Sequence, residues 1–293
     1  MTRIAYLGPE GTFTEEALLK IIAGGLVPGN ASTGTAVPVS AGSPSAALEM
    51  VRSSDAEFAC VPIENSIEGS VLPTLDSLAT GSPLQIYAEL TLDIVFTVAV
   101  RTGVTEPESI AAFPVARAQV ARWAAKNLPR ARFQAADSNA AAAVDVAEGR
   151  ADAAVTTALA AERYGLTAVA ADVIDESNAR TRFVLAGLPK DPPPPRTGAD
   201  RTSVVLRLDN VPGALAAALT EFAVRDIDLT RIESRPTRTE LGTYIFFVDC
   251  AGHIEDDAVA AALDALHERC AGMRNLGSWP TGSASTQAPK GTP

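Results

Sequence analysis

Residues 190–200 read KDPPPPRTGAD, and the four consecutive prolines at 192–195 constrain the fold more than any other feature. Proline offers no backbone N–H to a helix or a sheet ladder, and a run of prolines favours an extended polyproline path. The chain is therefore expected to fold as separate bodies on either side of a linker at 190–200. Its 293 residues suffice for about two domains. The last stretch, GSASTQAPKGTP, is small and polar, and a disordered tail is expected over 281–293.

Before the linker, short apolar runs alternate with alanine-rich helical stretches. RIAYLG leads to TFTEEALLKIIA, and SPSAALEMVRSS leads to EFACVPI; later come IAAF, VARAQVARWAAKNL, RFQAA, SNAAAAVDVAEGR, DAAVTT, ALAAERYG, AVAADVI and TRFVLAG. Such alternation predicts an α/β body with parallel strands and covering helices. One long β-like run near the middle, LQIYAELTLDIVFTVAV, suggests a crossing between two lobes. After the linker the order becomes strand TSVVLRL, helix PGALAAALTEFAVR, strands IDLTRIES and GTYIFFVDC, helix EDDAVAAALDALHERC and a short strand near MRNLGSW. That is βαββαβ, the ferredoxin-like order, and apolar spacings of three and four support both helices.

Composition narrows the chemistry. A net charge of −11 argues against nucleic acid, which needs a basic face, but not against a small anion held by a local cluster of donors. No segment has the roughly 18 to 20 continuous apolar residues of a membrane span, and the N-terminus enters a strand at once, so a cytoplasmic protein is expected. Cys60, Cys250 and Cys270 are widely separated and beside apolar runs, which suits buried, reduced thiols. The only histidines, His253 and His267, lie near the C-terminus and are expected at the surface. A Ser-His-Asp triad or a paired-histidine zinc site is thereby excluded from the larger N-terminal body.

Three junctions there carry candidate chemistry. In GPEGTFT, Gly8 and Gly11 allow a tight turn, Thr12 or Thr14 suits a helix cap, and amides at the helix start suit a carboxylate; a plain capped turn reads equally well. VPIENSIEGSV places Glu64, Asn65 and Ser66 before a helical stretch, as polar donors or as an ordinary loop; Glu64 donates only if burial keeps it protonated. In NARTRFVLAG, Thr181 offers a hydroxyl, Arg182 a fixed charge and Phe183 an apolar wall, unless this is a solvated strand end. Strand alternation points Thr181 and Phe183 to one face and Arg182 to the other, so one pocket holds all three only if the strand end bends. Beyond the linker, DNVPGALAAAL places Asp209 or Asn210 as a cap before a helix, and ESRP ends a strand.

Taken in order, GPEGTFTEEA, VPIENSIEGSV, TRF and ESRP resemble the prephenate dehydratase family over almost the whole chain outside the linker and tail. The resemblance implies a two-lobed, periplasmic-binding-protein-like catalytic part over 1–189, with lobes at roughly 1–78 plus 176–189 and at 79–175. It also implies an ACT domain over 201–280 and no fused chorismate mutase domain. The implied reaction turns prephenate into phenylpyruvate, water and carbon dioxide without a cofactor. Thr181, Arg182, Phe183 and Glu64 would be catalytic, with Gly11, Thr12, Asn65 and Ser66 around the substrate. L-Phenylalanine would bind at Asn210, Pro212, Gly213, Ala214, Leu215, Glu233, Ser234 and Arg235 across the interface of a homodimer or homotetramer. Where the family usually has G-A-L-V, this chain reads Gly213, Ala214, Leu215, Ala216, two methyl groups short at the effector pocket. Arogenate dehydratase is the alternative with the same chemistry, and a non-catalytic small-anion sensor the alternative of another class.

Overall fold

The computed structural model describes residues 1–29, 35–175, 178–190, 193–238 and 242–281. The chain divides into two compact units, Met1–Ser82 with Thr91–Leu188, and Pro83–Leu90 with Pro189–Pro293.

In chain order residues 1–188 hold β1 (Thr2–Leu7), α1 (Phe13–Ala23), β2 (Ala36–Ala41), α2 (Pro44–Arg52), β3 (Phe58–Asn65), β4 (Gly69–Ser70), α3 (Leu72–Ala79), β5 (Gln85–Asp93) and β6 (Phe96–Val100). There follow β7 (Ser109–Ala112), α4 (Pro114–Gln119), α5 (Ala121–Asn127), β8 (Arg132–Ala135), α6 (Asn139–Ala147), β9 (Ala153–Thr156), α7 (Ala158–Arg163), β10 (Thr167–Val173) and β11 (Arg180–Gly187). These build two sheets, ordered β2-β1-β3-β11-β5 with β4 on β3, and β10-β6-β9-β7-β8. The long run at 84–100 breaks at Ile94 and Val95, and its halves enter different sheets. The chain returns beside that break, where Ile94 N–H donates to Ala179 O at 2.7 Å. A two-lobed α/β architecture with two crossings results.

Three features depart from the sequence expectation. Both sheets are mixed: β1 is parallel to β2 and β3, but β11 runs antiparallel to β3, and β6 antiparallel to β9 and β10. Returning strands β6 and β11 cross between lobes rather than closing a βαβ unit, so they carry no parallel rule. β2 escapes the sequence pattern because Pro38 interrupts it; the strand lies at a sheet edge, where proline is tolerated. The helix expected over 115–128 is two, α4 and α5, broken at Val120. Asp175 stabilises the break: its N–H donates to Gln119 O, and its carboxylate accepts from Arg122 N and Trp123 N.

The second unit holds β12 (Asp200–Arg207), α8 (Ala214–Ala223), β13 (Leu229–Pro236), β14 (Tyr244–Ala251), α9 (Asp257–Arg269) and β15 (Gly272–Pro280), the expected βαββαβ. Its antiparallel sheet runs β13-β14-β12-β15, and Leu206, Phe222, Val248, Leu263 and Leu266 fill the core under α8 and α9. Neither Asp209 nor Asn210 caps α8. Gly213, at φ +83, is the N-cap, with no side-chain cap bond. His253 is also not at the surface: it is buried at 1% exposure, with Nδ1 accepting from Glu255 N and Nε2 donating to Pro194 O. A linker carbonyl 59 residues away completes that burial, which the polar neighbourhood of His253 in the sequence conceals. His267 is exposed, Cys60 and Cys250 are buried, and Cys270 is half-buried. The linker is described except at residues 191 and 192; of the tail expected over 281–293, Thr281 is described and its hydroxyl donates to Ala199 O, and the rest lies outside the described residues.

Candidate active site

β1 and β3 are parallel and β11 antiparallel, so the ends of β1 and β3 and the start of β11 share one sheet edge. Open α/β sheets bind ligands at such an edge. Across β3 and β11, Thr181 faces Asn65 and Arg182 faces Glu64; the register then skips Ile63, and Phe183 pairs with Pro62. That one-residue bulge lies on β3 and bends it against the start of β11. Thr181, Arg182 and Phe183 are 8%, 9% and 2% exposed, so this is no solvated strand end.

Asn65 sets the polarity of the Thr181 hydroxyl. Asn65 Oδ1 accepts from the N–H groups of Ile67 and Glu68, each at 2.9 Å. Those two donors fix which end of the amide is oxygen. Its Nδ2 therefore faces β11 and donates to Thr181 Oγ1 at 2.9 Å. The bond uses a lone pair of Thr181 and leaves its proton to another acceptor.

Glu64 Oε2 lies 3.1 Å from Arg182 Nη2; the arginine side chain is 10% exposed and the glutamate 42%. Glu64 is therefore half-exposed and ion-paired rather than buried. Ser66 secures the start of β11: its hydroxyl donates to Asn178 O at 2.7 Å and accepts from Arg180 N at 2.9 Å.

In the GPEGTFT turn Thr12, not Thr14, caps α1; its hydroxyl accepts from Glu15 N and donates to Leu7 O. The Gly11 amide is held by the chain's own carboxylate, that of Glu15, which pairs in turn with Arg163 at 2.8 Å. Burial, then Glu15 and Glu10, push the nearby Tyr6 phenol up to about 12. Thr157 Oγ1 donates to Gly11 O from the second lobe, so the strand-end edges of the two lobes meet at this turn. Sequence reasoning missed Glu15, Thr157 and Arg163. Thr12-Phe13-Thr14-Glu15 does fit the capping-box pattern, which draws a glutamate back over the helix start; the partners about 150 residues away leave no such signal.

In the second unit the loop with Asn210, Pro212 and Gly213 is exposed, and Ala214 and Leu215 are half-buried. Glu233, Ser234 and Arg235 lie on edge strand β13, opposite Phe247, Phe246 and Ile245. Val211, Ile232 and Tyr244 are exposed apolar residues of the same loop, β13 and its neighbour β14.

A family model described as prephenate dehydratase matches residues 4–190, and one described as ACT domain matches residues 202–268. The prephenate dehydratase of Mycolicibacterium smegmatis is 68% identical over 291 residues, covering 99% of this chain and 94% of that protein. The structure of the prephenate dehydratase from Arthrobacter aurescens in complex with L-Phe has a TM-score of 0.86 at 41% identity, covering 95% of this chain and 90% of that one. GqqA, described as a novel type of quorum quenching acylase, has a TM-score of 0.83 at 29% identity, covering 96% and 98%. A shared fold alone therefore does not carry the activity.

Proposed function

The chain belongs to the prephenate dehydratase family, with an ACT domain after its catalytic part, and from that premise we propose how its residues carry the reaction. Prephenate holds a ring carboxylate and, across the ring, a hydroxyl. The electron pair of the carbon–carboxylate bond enters the ring as carbon dioxide leaves, and the hydroxyl departs with its own electron pair. That oxygen takes a proton to become water, and the aromatic ring formed makes the step strongly downhill. The protein has to hold the pyruvyl carboxylate, supply the proton, and avoid gripping the departing carboxylate, which would stabilise the ground state more than the transition state.

Thr181 is the donor to the leaving hydroxyl. The observation that carries this reading is the Asn65 amide donating to Thr181 Oγ1, which frees the threonine proton for substrate. A threonine is too weak an acid to lose its proton outright, so the proton is replaced from a neighbouring donor as it is given. Arg182 holds the pyruvyl carboxylate, and Glu64, paired with the guanidinium, orients it rather than relaying a proton. Gly11 and Thr12 border the substrate, Ser66 shapes the start of β11, and the buried Phe183 keeps water from the reacting face. Replacing Thr181 with valine tests the assignment. Turnover should fall by about 10²-fold or more with the fold retained, and turnover within about threefold of the parent would remove Thr181 from this role.

The same reading makes L-phenylalanine the effector, bound between Asn210, Pro212, Gly213, Ala214 and Leu215 of one ACT domain and Glu233, Ser234 and Arg235 of another. The relative from Arthrobacter aurescens, described as a complex with L-Phe, supports it. A homodimer or homotetramer follows. The domain division stays at 1–189, 190–200 and 201–280, and free Cys60, Cys250 and Cys270 suit a reducing cytoplasm. Comparing turnover of prephenate and arogenate separates the two substrates.

A further inference from the structure

The turn between β1 and α1 is held from the opposite lobe. Gly11 sits at φ +84; its N–H donates to Glu15 Oε2 and its carbonyl accepts from Thr157 Oγ1, both at 2.5 Å. A Cβ on Gly11 would come within 2.8 Å of Ala160 Cβ, so α7 lies directly against the glycine. Arg163, at the far end of α7, grips Glu15 with both terminal nitrogens, at 2.8 and 2.9 Å, and reaches Glu10 at 3.0 Å. On the other flank a Cβ on Gly8 would fall 1.8 Å from Ser40 Oγ. Glu15 and Thr157 are both buried.

The N–H and carbonyl of Gly11 belong to consecutive peptide planes, so pinning both fixes both planes. In a trans peptide the next N–H points opposite the carbonyl. Thr157, by drawing Gly11 O toward α7, thus aims the Thr12 N–H away from α7 and holds it there. A donor fixed before substrate arrives needs no reorganisation.

We propose that Thr157, Arg163 and Glu15 are positioning residues of the dehydratase, which hold the Gly11 peptide planes so that the Thr12 amide is aimed at the substrate. This rests on the reading above that the turn borders the substrate, and the test separates the two. Thr157→Val removes the hydroxyl at similar volume but also uncaps α7, whose Ala160 N–H it accepts. Thr157→Ser keeps both bonds, and Arg163→Met leaves the cap intact. Kinetics on prephenate should show KM raised about fivefold or more in Thr157→Val and Arg163→Met, with kcat within about twofold. Thr157→Ser should match the parent in both constants, and L-phenylalanine binding by calorimetry should be unchanged in all three. Lower thermal midpoints without a change in KM would overturn the proposal. Arg163 is only partly buried, at 31% side-chain exposure, and its variant decides the matter if Thr157→Val does not fold. Gly11→Ala, forced off Ala160, completes the set. KM raised by it but not by the other two overturns the positioning role alone, whereas KM unmoved by all three overturns the turn as a binding element too.

Discussion

Asn65 uses its two amide ends differently, the oxygen on the backbone of its own loop and the nitrogen on Thr181. Reversing the second bond is therefore a sharp perturbation. Asn65→Asp places an acceptor where the donor was, so Thr181 turns its proton toward residue 65 and away from the leaving hydroxyl. We expect kcat to fall by about 10²-fold with KM changed less than about fivefold, and stopped-flow measurement of phenylpyruvate reads both. An unchanged kcat would mean that Asn65 does not set the threonine's direction. Arg182→Lys keeps the charge but loses the planar fork, and KM should rise about tenfold while kcat moves little; steady-state kinetics on folded variant check it. At this scale the residue types were legible and their partners were not. Thr181, Arg182, Glu64 and Asn65 stand out as polar groups closing apolar runs. That Asn65 donates to Thr181 depends on a strand pairing between residues 116 positions apart, which no local pattern encodes.

Among the elements, the bulge opposite Arg182 and Phe183 places an extra residue of β3 against the start of β11. Alternation in the sequence made the facing of these residues legible, but the bulge residue, Ile63, belongs to β3 and carries no mark. β2 and the α4–α5 break were hidden for the same kind of reason: the sheet-edge tolerance of Pro38 and the capping by Asp175 are decided by distant chain. A further long-range device joins β7 to β9. The Asp152 carboxylate accepts from the Ser109 hydroxyl and from the N–H groups of Ser109 and Glu108. The Ser109 hydrogen bond, aided by those amides, holds the carboxyl below its ordinary 3.8 despite some burial. A depressed folded value means stabilisation that is complete above the unfolded value and lost as pH falls through the folded one. Asp152→Asn should therefore cost about 1 kcal/mol at pH 7, and the difference should shrink as pH falls below the ordinary 3.8 and through the lowered folded value. Urea titrations of both proteins across that range measure it, and a difference that persists in acid would contradict the linkage.

For the whole molecule, the two units were legible from the proline run and the change of element order, because both are properties of the local chain. Association is expected only through the resemblance. The structure adds exposed apolar Ile232 on the edge strand of the ACT sheet, where strand edges invite pairing, and Tyr244 on the strand beside it. Ile232→Lys should shift the protein toward monomer in sedimentation and weaken inhibition by L-phenylalanine by about tenfold or more, with turnover in its absence retained. Full inhibition by a monomeric variant would show that the effector site lies within one chain. The central claim is that this chain dehydrates and decarboxylates prephenate with Thr181 as the donor. Its most direct test is the rate of phenylpyruvate formation from prephenate at neutral pH by the parent protein and by Thr181→Val. The account predicts rapid formation by the parent and a loss of about 10²-fold or more in the folded variant; equal rates, or none above the uncatalysed rate from the parent, would contradict it.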